Sequence, residues 1–172
     1  VDDGSTDGSG KVAEKNGATR VIYKPRGGFA AAARNLGIRA ARGEILCFTD
    51  ADCRPNPHWL EQITSPLARP EIAGVKGVYS TEQTSLVARF VQLEYEEKYR
   101  RMAGLASIDF VDTYAAGYRR SLFLANDGFD PVFPSASVED QELSFRLADQ
   151  GYRLVFAPEA RVYHWGHPQT VV

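Results

Sequence analysis

Cysteine is scarce: Cys47 and Cys53 are the only two in 172 residues. Small secreted scaffolds held by disulfides are dense in cysteine, so a bridge framework is excluded and a reduced compartment is expected. Long apolar runs are missing as well. No stretch approaches the roughly 20 apolar residues of a membrane-crossing helix, and no signal-peptide pattern opens the chain. Neither sign of charge dominates, because 20 basic side chains against 22 acidic ones leave a net charge of -2. The basic clusters Lys98-Arg100-Arg101 and Arg119-Arg120 are too local to make a broad face for nucleic acid. Internal repeats, low-complexity tracts and inter-domain linkers are absent. Gly27-Gly28 fits neither the Gly-x-Gly-x-x-Gly dinucleotide pattern nor a P-loop, since no Lys-Ser/Thr follows it.

What is present begins with 44% hydrophobic residues, enough to fill the core of one domain over residues 1–172. The run Ile45-Leu46-Cys47-Phe48-Thr49, bounded by Gly43-Glu44 and Arg54-Pro55, predicts an interior parallel strand. It delivers Asp50-Ala51-Asp52 at its carboxyl end, the side on which open α/β sheets bind ligands. Two carboxylates there suit a hard divalent cation whose other positions are filled by water and phosphate oxygens. The same acids also cap helices and start turns, so both readings stand at this point.

A helix is predicted over 9–16 and a strand over 19–23, followed by an Ala-rich helix in which Ala33, Leu36, Gly37, Ala40 and Ala41 share one face. Asn56-Pro57 opens a helix to residue 68, then come a strand over 73–79 and a long amphipathic helix over 84–104. A strand over 109–115, a short helix to Asn126, a helix over 138–150 capped by Ser137, and short strands over 154–157 and 161–164 complete an α/β pattern. Val1-Asp2-Asp3 reads as the tail of a strand, so truncation is expected at the amino end, and Val171-Val172 suggests the same at the other. Such an isolated piece is expected to be marginally stable or weakly active.

Acidic or imidazole groups recur where strands end or helices begin: Asp2-Asp3, Asp50 with Asp52, Glu139-Asp140 and His164. Glu139 and Asp140 fall in the first turn after Ser137, where the helix dipole favours carboxylates. Ser137-Val138-Glu139-Asp140 equally resembles a capping box with Asp in place of Glu. Asp7 suits an Asx turn. The spacing over residues 2–7 lacks the alternating ligands of a calcium loop. His164, with His167 close by, is either structural or a metal ligand. Trp165 is a sugar-stacking platform or a cap on the core.

Taken in order, these motifs resemble the family 2 glycosyltransferases, nucleotide-diphospho-sugar enzymes of the GT-A fold. The matching residues are Val1 to Asp7, Ala33-Arg34-Asn35, Gly43-Glu44, Phe48 to Asp52 and Gly128-Phe129-Asp130. They continue through Glu139 to Leu143, Arg146-Leu147, Gly151-Tyr152-Arg153 and Val162-Tyr163-His164, nearly the whole chain. The resemblance implies a Rossmann-like, mostly parallel central sheet flanked by helices, here without the family's first strand and helix. It implies that Asp2 and Asp3 contact the donor's base and ribose, and that Arg34 touches the donor or braces the Asp50 strand. Asp50 and Asp52 would correspond to the metal-binding Asp-x-Asp for Mg2+ or Mn2+, with His164 completing the site. Asp140 would be the base of an inverting, hexosyltransferase-like reaction, and Glu139 would orient it or hold an acceptor hydroxyl. Gly117 would give a substrate access to backbone.

The donor is expected to be a UDP-sugar and the acceptor a glycan or a lipid-linked glycan, in polysaccharide or cell-envelope biosynthesis. The expected location is cytoplasmic, including the cytoplasmic membrane face if segments outside this chain reach it; no nucleic-acid partner is expected. Gln150-Gly151-Tyr152-Arg153 is followed by Leu154, so it does not match the Gln-x-x-Arg-Trp of processive synthases. The competing readings are a non-catalytic nucleotide-sugar or glycan-binding module, and a phosphoryl or nucleotidyl transferase. The last needs a basic residue beside the phosphates, and no lysine follows the glycine pair.

Overall fold

A computed structural model of the chain describes residues 1–27, 29–133 and 138–165. Its elements are β1 (Asp2–Asp3), α1 (Ser9–Lys15), β2 (Tyr23–Lys24), α2 (Phe29–Ala40), β3 (Ile45–Thr49), β4 (Cys53–Pro55) and α3 (Trp59–Thr64), which continues as a 3-10 turn over Ser65–Ala68. They are followed by β5 (Ile72–Ser80), α4 (Leu86–Met102), β6 (Ala115–Arg119), α5 (Arg120–Ala125), α6 (Glu139–Asp149) and β7 (Arg153–His164). β1 and β2 pair in parallel, and the other five strands form one sheet in the order β3-β6-β5-β7-β4. β5 and β7 are parallel, whereas β3–β6, β5–β6 and β4–β7 are antiparallel. The α/β architecture of helices around a Rossmann-like sheet therefore holds, and the sheet is mixed.

Alternation along the strands sends side chains to opposite faces. Cys47, Ala115 and Val155 join Trp59, Ile63, Leu67 and Tyr99 on one face. Leu46, Ala116, Tyr118 and Leu154 join Ile38, Phe123, Phe129, Leu143 and Leu147 on the other. α4, expected over 84–104, starts after a Ser85 cap, with the Ala88 N–H donating to Ser85 Oγ at 3.2 Å.

Four expectations are corrected. Ile45–Thr49 ends the strand order and pairs only with β6, antiparallel, among the described residues. Its apolar run reports cover from both faces, which says nothing about direction. The strand expected over 109–115 instead runs from Ala115 to Arg119. Gly117 hides it from propensity, yet a Cβ there would sit 2.9 Å from the Ile63 carbonyl oxygen, so only glycine lets α3 pack this closely. That contact also places Gly117 under a helix, with its backbone closed to a substrate. The two short strands expected at the end form one strand of 12 residues, β7, whose register against β5 shifts between Lys76 and Val78. The cap assigned to Ser137 lies outside the described residues, and Val138 precedes the helix.

β5 is buried over Ile72–Tyr79, and its glycines are close-approach positions. A Cβ on Gly77 would lie 2.3 Å from the Ala160 carbonyl oxygen. Gly77→Ala is therefore expected to push β5 from β7 and destabilise the fold by about 1–3 kcal/mol, read from the urea midpoint.

Candidate active site

Arg34 links two of the acidic groups singled out in the sequence, at the end of β3 and at the start of α6. Asp50 follows β3 and is half-buried near Arg34 of α2, with Arg34 Nη2 3.7 Å from its carboxylate. Burial raises the Asp50 pKa above the usual carboxylate value; Arg34 opposes that rise and Asp52 adds to it. Asp52 is more open, with 54% of its side chain exposed, and its Oδ2 lies 3.0 Å from His164 Nε2.

These two residues meet because β4 pairs with the end of β7, setting Cys53 opposite His164. The other ring nitrogen, Nδ1, lies 3.1 Å from the Tyr79 hydroxyl. A carboxylate only accepts, so in the neutral ring Nε2 carries the hydrogen and Nδ1 accepts from Tyr79. Donor atoms of Asp52, Cys53 and His164 lie within 4.8 Å of one another. Burial, aided by both aspartates, pushes the Cys53 thiol up to about 11, so it stands as a neutral thiol. His167 lies outside the described residues.

α6 opens with Glu139 and Asp140. The Glu139 side chain is 4% exposed and accepts from Arg34 Nη1 at 2.6 Å. Arg34 thus ties the end of β3 to the start of α6. Asp140 accepts from the Gln141 N–H at 2.8 Å and from the Thr113 N–H. Its carboxyl is nevertheless raised, first by burial, then by the charges of Asp112 and Glu139. A carboxylate above its ordinary range holds a proton more readily, as a general base near neutral pH requires.

Asn35 has a structural role. It donates to the Phe129 carbonyl at 2.7 Å and accepts from the Phe129 N–H at 2.9 Å, tying α2 to the loop before α6. A Cβ on Gly128 would meet the Asn35 amide oxygen at 2.4 Å, and Gly128 has φ +76°, so glycine is required twice over.

Asp2 accepts from the Ser5 N–H at 2.8 Å. That bond, joined by the Ser5 hydroxyl, holds its carboxyl below the usual range. Asp3 pairs with Lys24 of β2. Asp7 accepts from the Ser9 N–H at 2.9 Å, the Asx turn expected of it. Between α2 and β3, a cleft of about 570 Å³ opens beside Asp50, lined by Ala30, Ala33, Arg34 and Phe48 among others. Trp165 is 55% exposed, with the Arg54 guanidinium 5.4 Å from its ring, so it does not cap the core. Two charged residues passed over in the sequence, Lys76 and Asp112, form an ion pair behind this site. Their only sequence signal was a lysine inside an otherwise apolar strand.

Residues 1–125 match the family model for glycosyl transferase family 2. The chain belongs to glycosyl transferase family 2. This family member is similar to the pre-mycofactocin glycosyltransferase of Mycobacterium tuberculosis, at 30% identity over 84% of this chain and 32% of that protein. It also resembles glycosyltransferase AglE of Haloferax volcanii, at 26% identity over 98% of this chain and 56% of that one. The chain thus spans about a third to somewhat over half of these curated relatives.

Among solved structures, the mannosyltransferase PcManGT of Pyrobaculum calidifontis, in complex with GDP-Man and Mn2+, gives a TM-score of 0.75 at 22% identity, covering 95% of this chain and 46% of that one. GalNAc-T7, with UDP, GalNAc and Mn2+, gives 0.70 at 16% identity, covering 95% and 35%. The fold of this family 2 chain is GT-A.

Proposed function

We propose that this chain forms the catalytic core of an inverting, metal-dependent glycosyltransferase. It would move a hexose from a nucleotide-diphospho-sugar, a UDP-sugar by our reading, to a hydroxyl of a glycan or lipid-linked acceptor. The observation that carries the proposal is the way charged groups are linked: Arg34 reaches Asp50 at 3.7 Å and, at 2.6 Å, Glu139, the chain neighbour of Asp140 at the start of α6, while Asp52, two residues from Asp50, meets His164 at 3.0 Å. The relatives solved with GDP-Man or UDP together with Mn2+ support a nucleotide-sugar donor and a divalent cation.

The residues fit such a cation. The exposed Asp52 carboxylate and His164 Nε2 are 3.0 Å apart, Asp50 lies nearby, and Mg2+ or Mn2+ accepts this mixture of oxygen and nitrogen donors once the ring takes the other tautomer, Nδ1–H donating to the Tyr79 hydroxyl and the Nε2 lone pair freed for the cation. When bound, the cation would neutralise charge building on the departing nucleoside diphosphate. Asp2 and Asp3 would accept hydrogen bonds from the base and ribose.

Asp140 takes the proton of the acceptor hydroxyl as that oxygen bonds to the anomeric carbon. The bond from this carbon to the phosphate oxygen breaks, and its electron pair leaves with the diphosphate. Attack opposite the leaving group inverts the configuration. Glu139, buried against Arg34, holds the base-bearing helix in place. We assign the reaction to the cytoplasm, in polysaccharide or cell-envelope synthesis.

The test is to incubate the chain with UDP-, GDP- and CDP-sugars and Mn2+, following diphosphate release and product configuration by proton NMR, with water as default acceptor. One diphosphate released with an inverted product is expected. A retained configuration, or no release from any donor, contradicts the proposal. Asp52→Asn is expected to weaken Mn2+ binding at least about 10-fold by electron paramagnetic resonance. Unchanged affinity would place the cation elsewhere.

A further inference from the structure

Lys76 lies mid-strand in β5 with no exposed surface, and its ammonium pairs with the Asp112 carboxylate, which keeps 21% exposure. Burial draws the Lys76 pKa below its usual value, and the Asp112 charge opposes this. The Phe110 and Tyr114 rings lie 4.7 and 5.9 Å from the ammonium. Lys98 of α4 approaches the same Phe110 ring at 4.6 Å. Replacing such a buried pair by apolar side chains is often neutral or stabilising, so stability is a weak reason for having it.

The segment carrying Asp112 is fastened to the first turns of α6. The Val111 N–H donates to Ser144 Oγ at 3.1 Å, and Ser144 donates to the Asp140 carbonyl oxygen at 2.7 Å. The Thr113 N–H bonds the Asp140 carboxylate. Asp112 is therefore the residue between two attachments to the Asp140 turn, with Lys76 behind it.

We infer that Lys76 and Asp112 form a positioning pair for Asp140: a second carboxylate, fixed beside the base by a buried cation, that strengthens its hold on the acceptor's proton. The inference rests on the reading of Asp140 as the base. The other groups facing that carboxylate are Glu139 on its own helix and the Tyr118 hydroxyl of β6; Lys76 of β5 acts through Asp112.

The test is a carbon-13 NMR titration of the Asp140 carboxyl in the full chain, which needs no substrate. Asp112→Asn is expected to move the Asp140 midpoint to lower pH. The double variant Lys76→Met with Asp112→Asn, which leaves no buried charge behind, should move it the same way, whereas Asp109→Asn should leave it in place. Midpoints matching the wild type in both folded variants overturn the inference, and so does loss of folding in both, which would assign the pair to stability alone. Failure of the base reading shows separately, as full sugar transfer by Asp140→Asn whatever the titration gives.

Discussion

Asp140→Asn is expected to lower sugar transfer about 10²- to 10⁴-fold, the usual loss when a positioned proton acceptor is removed. Nucleotide and metal binding should be spared, because the Asn oxygen still accepts from the Gln141 and Thr113 N–H groups. The same substitution should stabilise the fold at neutral pH. Burial and the neighbouring acids raise the folded-state pKa of Asp140 above its unfolded value, so the folded state binds the proton more tightly and loses stability as pH climbs through that interval. A neutral Asn removes this penalty. The melting-temperature gain should therefore be full above the folded-state pKa and vanish below the ordinary Asp value. A less stable, fully active variant would contradict both parts, and a non-catalytic binding module would show the gain in stability with no transfer to lose.

Arg34→Met should have the largest effect on folding. It withdraws the guanidinium from Glu139, which is 4% exposed, and from Asp50. Removing one partner of a buried ion pair costs about 3–5 kcal/mol, a fall in melting temperature on the order of 10 °C for a chain of this length. Glu139→Gln in the same chain should recover part of the loss, and the double-mutant cycle gives the coupling energy. Equal losses in the single and double variants would show that the bond contributes nothing of its own.

Local signals carried much of this fold. The helix over α2 follows from its small-residue face, α4 from its periodicity, and β3 from a short, mostly apolar run between turn signals. What escaped depends on partners distant in sequence. The direction and edge position of β3 are decided by β6, about 70 residues later. Three-residue β4 exists only because β7 continues past Ala157 to receive it.

The site divides the same way. Asp50, Asp52, Asp140 and His164 stood out because they recur at element ends in a known order. Lys76 and Asp112 did not, since a lysine in a strand says nothing of a carboxylate 36 residues away. Arg34 was legible as a candidate for the donor or for bracing the Asp50 strand, but its bond to Glu139 spans 105 residues and required the folded chain.

The most direct measurement is calorimetric titration of the chain with UDP, GDP and CDP, each with Mn2+ and again with chelator, repeated on Asp52→Asn. One nucleotide, UDP by our reading, is expected to bind with Mn2+, and chelator or the substitution to abolish the binding. Binding that persists unchanged under chelator and in Asp52→Asn, or no binding of any nucleotide, would contradict it.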